Sequence, residues 1–92
     1  MVFSMENRRQ LRSLVEGHVS IRNSHNKILL TLDQVEISRT SVAFLSNINC
    51  DIGTEINVEI TKASPWPDMY FFGHVCSTST HIKGYLIELT KC

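Results

Sequence analysis

Gly53-Thr54-Glu55-Ile56-Asn57-Val58-Glu59-Ile60 decides the fold class of this chain. Ile56, Val58 and Ile60 alternate with Glu55, Asn57 and Glu59, the period of a strand with one face buried and the other in water. The glycine ahead of it, in Asp51-Ile52-Gly53, supplies a turn. The same grammar extends to either side. Upstream, Val15, Gly17, Val19 and Ile21 alternate with Glu16, His18, Ser20 and Arg22, and Asn23-Ser24-His25-Asn26 carries the turn chemistry of a hairpin into a second apolar run, Ile28 to Ile37. Ser41 to Leu45 reads as a third strand. Downstream, Pro65 and Pro67 bracket Trp66 and mark a loop, because their fixed φ and missing donors do not suit an interior strand. Met69 to Cys76 and Tyr85 to Leu89 give two more strands, separated by the polar stretch Ser77 to His81 and by Gly84. Six short strands without a long amphipathic helix predict an all-β antiparallel barrel or sandwich. The one helical turn expected follows Ser4.

A chain of 92 residues, 42% apolar and 20% charged, supports one core and one domain. Nine basic residues balance nine acidic ones, so no overall field draws in a polyanion, and DNA binding through many phosphate contacts is not expected. The sequence has no apolar run near the roughly 20 residues needed to span a membrane, and its start does not read as a signal peptide. Cys50, Cys76 and Cys92 have no close pairing, which suits free thiols in a reducing, cytoplasmic setting.

No nucleophile, base and orienting group announce themselves together, so the expectation is a binding domain and not an enzyme. His18 and His25 read as surface residues. His74 and Cys76 share a strand face, but two side chains without CxxC or HxxxH company do not make a structural zinc site, and no metal is expected. Trp66, Tyr70, Phe71 and Phe72 are the residue types of a base-stacking platform, as in oligonucleotide-binding barrels; Phe71 and Phe72 fall on opposite faces, which leaves Trp66 as the aromatic suited to a binding role. Arg8, Arg9 and Arg12 form the one concentrated positive spot, opposed nearby only by Glu6; alone, such a run reads as a solvated face.

Arg8-Arg9-Gln10-Leu11-Arg12, the first strand, and then Glu36-Ile37-Ser38-Arg39-Thr40-Ser41 between the second and third strands resemble, in order and spacing, the PilZ domain: an RxxxR segment followed by Asp/Asn-x-Ser-x-x-Gly. The resemblance runs from Arg8 to Leu89. It implies a single PilZ-like domain over residues 1–92: a flexible arginine-bearing switch segment over 1–13 and a six-stranded barrel over 14–90 that binds cyclic diguanylate, a bacterial second messenger, and passes its presence to a protein partner. The ligand residues it implies are Arg8, Arg9, Arg12, Glu36, Ser38 and Ser41. Guanidinium groups suit phosphates and the O6 and N7 edge of guanine, a carboxylate at Glu36 suits the guanine N1 and N2 hydrogens, and the Ser38 hydroxyl can donate to the ligand or fix the turn. Glu36 stands where the family has Asp or Asn, and Ser41 stands for its glycine. These departures leave open an alternative, a PilZ-like protein-interaction module without the nucleotide, in surface motility or pilus assembly. With no C-terminal helix after the sixth strand, an open barrel end or sheet edge is expected to be covered by self-association into a homo-oligomer.

Overall fold

The computed structural model describes residues 11–91 and is all-β. Six strands, β1 (Ser13–Asn23), β2 (Ile28–Ile37), β3 (Ser41–Ser46), β4 (Glu55–Thr61), β5 (Met69–His81) and β6 (Gly84–Lys91), close into an antiparallel barrel in the order β1-β2-β3-β6-β5-β4. The expected six-stranded antiparallel barrel is therefore the observed fold. The helical turn proposed after Ser4 lies outside the described residues.

The alternations dictate which side of each strand faces inward. Val15, Val19 and Ile21 of β1, Ile56, Val58 and Ile60 of β4, and Val75, Ile87 and Leu89 of β5 and β6 are fully or almost fully buried, with Val35, Val42 and Phe44 completing the interior. Ladder register carries this inward face around the barrel: Val19 lies opposite both Leu32 and Ile60, and Ile21 opposite both Leu30 and Val58. Closure follows from two non-local ladders, β1 with β4 and β3 with β6.

The β1–β2 hairpin turns through Asn26, at φ 65°, while the Asn23 side-chain oxygen accepts from the His25 and Lys27 amides at 2.9 and 3.0 Å. The short asparagine side chain thus holds the turn locally. The β5–β6 hairpin turns at Gly84, whose φ of 138° is open to glycine and strained for other residues, and a Cβ there would strike the Ser46 carbonyl oxygen.

Ser77 to His81 does not separate two strands: it belongs to β5 and pairs with β6 as far as His81 opposite Gly84. Its residues are mostly exposed and show no apolar alternation, because this part of the hairpin runs past the core and both of its faces meet solvent. A register irregularity between Val75 and Ser77 marks the changeover.

Candidate ligand site at the turn between β2 and β3

Ser38 to Thr40 connect β2 to β3, and the turn is built from its own side chains. The Ser38 amide donates to the Ser41 carbonyl at 2.9 Å. In return the Ser38 hydroxyl oxygen accepts from the Ser41 amide at 3.0 Å and the Thr40 amide at 3.3 Å, and it lies 2.8 Å from the Ser41 hydroxyl. Ser38 is buried. Of the two roles open to its hydroxyl, fixing the turn is the one the geometry displays. Ser41 begins β3 opposite Thr90, and it is not among the residues with positive φ. Serine at the glycine position of the Asp/Asn-x-Ser-x-x-Gly pattern therefore carries no left-handed strain.

The last residues of β6 fasten the turn from outside. The Lys91 amide donates to the Thr40 carbonyl at 2.8 Å, and its ammonium donates to the Ser38 carbonyl at 2.7 Å while standing 4.2 Å above the Phe71 ring. Burial pushes the Lys91 ammonium below its ordinary pKa, since the charged form loses water there.

Beside the turn, Glu36 and Glu88 each lie opposite Ala43, so the two carboxylates flank one small residue across three adjacent strands. Arg12, just ahead of β1, bridges them: its guanidinium is 3.5 Å from Glu36 Oε1 and donates to Glu88 Oε2 at 2.6 Å. Arg12, Glu36, Ser38 and Ser41, all singled out from the sequence, thus converge on one end of the β2–β3 pair. Arg8 and Arg9 lie outside the described residues. Glu88 and Lys91 went unnoticed in the sequence. Alternation over Tyr85 to Leu89 does place Glu88 outward, but only the adjacency of β3 and β6 brings it to Arg12.

The other candidates disperse. His18 and His25 are exposed as expected. His74 and Cys76 are exposed as well, the Cys76 thiol reaches the Glu88 carbonyl at 3.4 Å, and the described residues contain no group of three or more potential metal ligands. Phe71 packs on the core while Phe72 is exposed, as their opposite faces require. Trp66 is exposed, but it is not alone in this: Tyr70 and Phe72 share the outer face of β5 and are exposed too. Residues two apart on a strand share a face, which is why Tyr70 and Phe72 stand together. Among the described residues no helix is long and apolar enough to cross a membrane.

Compared with family models, curated proteins and solved structures, the chain matches none.

Proposed function

We propose that this barrel is a PilZ-like receptor for cyclic diguanylate, with Arg12, Glu36 and the Ser38–Ser41 turn as its ligand site. The observation that supports this reading is the ion pair of Arg12 with Glu36, two residues ahead of Ser38, which joins groups that the sequence separates by a whole hairpin. Arg12 is held by two carboxylates. A phosphate entering the site takes their place on the guanidinium, and Glu36, relieved of Arg12, accepts from a guanine N1 and N2 edge. Two partly exposed ion pairs are each worth about 0.2 to 1 kcal/mol, so their exchange lowers a micromolar affinity of about −8 kcal/mol by roughly two- to thirtyfold. The ligand thereby moves the segment before β1, and that movement is the signal presented to a partner.

Titration calorimetry with cyclic diguanylate tests this. The wild-type chain binds, Arg12→Ala abolishes binding, and Glu88→Gln strengthens it severalfold by removing a competitor for Arg12. No heat up to high micromolar ligand rejects the reading. One observation favours a second reading, a protein-interaction module without the nucleotide: Arg12 already has two carboxylate partners, and the Ser38 hydroxyl is used within its own turn. That module would hold the same protein partner with or without the nucleotide and with Arg12 replaced.

A further inference from the structure

Opposite residues of an antiparallel ladder share a face, and the β4–β5 ladder sets Glu59 against Tyr70, Asn57 against Phe72 and Glu55 against His74. With Ile56, Val58 and Ile60 buried, these six residues point outward. Two large aromatic side chains therefore stand in water beside two carboxylates, Tyr70 63% and Phe72 44% exposed. β6 pairs with β5 only from Gly73 onward, so among the described residues Tyr70 and Phe72 have a strand neighbour on the β4 side alone. One exposed apolar residue needs no explanation, but a tyrosine and a phenylalanine together on one face are the residue types that anchor interfaces.

The charges beside them indicate what such an anchor meets. Directly opposite side chains in a ladder have Cβ atoms about 5 Å apart, and diagonal ones about 7 to 8 Å. Glu59 is thus within reach of a group laid on Tyr70, and Phe72 lies diagonally between Glu55 and Glu59. A guanidinium suits this surface, since its plane stacks on a ring while its N–H fork binds a carboxylate. The chain displays both halves of that chemistry close by. The Arg22 guanidinium comes within 3.8 Å of Glu59 Oε1 from the β1 side, and the Lys91 ammonium stands 4.2 Å above the ring of Phe71, on the other face of β5. Among the described residues, Glu55 has no ion pair and no cation stands over Tyr70 or Phe72. The two aromatic residues are roughly 7 Å apart along the strand, the spacing of alternate side chains in an extended peptide.

We infer that the outer face of β4 and β5 docks an extended, arginine-bearing segment of a partner protein, with guanidinium groups two residues apart stacked on Tyr70 and Phe72 and held by Glu59 and Glu55. The inference does not use the nucleotide reading, since none of these four residues belongs to the site of Arg12, Glu36 and the serine turn.

Titrating the isotope-labelled full chain with a capped Gly-Arg-Gly-Arg-Gly peptide, followed by nuclear magnetic resonance, tests it. The amide signals that move belong to β4 and β5 around Glu55, Glu59, Tyr70 and Phe72, and their movement yields the dissociation constant. Tyr70→Ala and Phe72→Ala each weaken binding about two- to fivefold, the worth of a cation–ring contact at an exposed site. Glu55→Gln combined with Glu59→Gln weakens it by about the same factor. The peptide with lysine for arginine keeps its charge, loses the planar stack and binds more weakly; the peptide with citrulline, planar but neutral, does not bind. Glu16→Gln, the same charge change at an exposed position of β1, leaves the constant unchanged, and the unperturbed remainder of each spectrum shows that the variant is folded. No movement at millimolar arginine peptide overturns the inference, as does movement centred on other strands. Equal binding of the arginine and lysine peptides, or binding indifferent to both Tyr70→Ala and Phe72→Ala, overturns it too, because attraction between net charges then accounts for everything observed.

Discussion

Replacing Ser38 by alanine removes the acceptor around which the β2–β3 turn is organised, and the contacts indicate how much this costs. The Ser41 amide at 3.0 Å loses its partner, the Ser41 hydroxyl loses its neighbour at 2.8 Å, and the Thr40 amide loses a longer contact at 3.3 Å. A hydrogen-bonding group left without a partner in a buried setting costs about 1 to 3 kcal/mol. Thr40 is exposed and recovers water, and the Ser41 hydroxyl is free to rotate, so the Ser41 amide dominates and the expected loss is about 1 to 2 kcal/mol. For a domain of this size each kcal/mol shifts the melting temperature by about 4 to 8 °C, which gives a drop of roughly 5 to 15 °C. Urea unfolding and thermal melts followed by circular dichroism measure it, with Ser79→Ala, on the exposed far part of β5, as a control expected within about 0.5 kcal/mol of wild type. A double-mutant cycle with Ser41→Ala should return a coupling of about 0.5 kcal/mol or more. If Ser38→Ala lies within about 0.5 kcal/mol of wild type, the turn is not held by this hydroxyl and the argument fails.

Three further outcomes are expected. Gly73→Ala would drive its new Cβ into the Thr90 carbonyl oxygen, a backbone atom that cannot rotate aside, and should destabilise by about 1 to 3 kcal/mol or more in the same urea assay. Ile60→Ala, at a fully buried position of β4, should cost about 2 to 5 kcal/mol, a large share of the stability of a small domain, and a variant with an unchanged urea midpoint would contradict the assigned core. Burial, and secondarily the neighbouring Asp51, push the Cys50 thiol above its ordinary value of 9.0, so in alkali the unfolded chain releases this proton first. The Cys50 contribution is thus fully present below pH 9.0 and declines as the pH climbs through the raised value. Wild type should lose more stability than Cys50→Ala as the pH is raised above 9.0, and parallel losses would disprove it.

The barrel was legible because Ile56, Val58 and Ile60, like Val19 and Ile21, alternate with polar neighbours, and burial on one face of a sheet imposes that period. The far part of β5 was not, since Ser77 to His81 bury almost nothing and so leave no apolar period to read. At the candidate site, Arg12, Glu36, Ser38 and Ser41 could be picked out from their order along the chain. Glu88 and Lys91 could not, because their place beside the turn depends on β6 lying next to β3, a pairing across half the sequence that no local pattern encodes. The β2–β3 ladder, only two pairs long, was equally invisible, since Leu29 to Leu32 read as an ordinary apolar strand whether or not both edges are paired.

The strand order also bears on how the chain is made. Without β6, the remaining strands form an open sheet, β3-β2-β1-β4-β5, whose two outer members are the strands that β6 joins. β6 is thus the keystone, and it is the last of these six strands to leave the ribosome. Until Gly84 to Lys91 have emerged, β3 and β5 each present a bare border, and the inward faces of Val42, Phe44 and Val75 lack their cover. Closure therefore has to wait until β6 has been made, which makes the nascent chain, and not the closed barrel, the form most dependent on protection by chaperones.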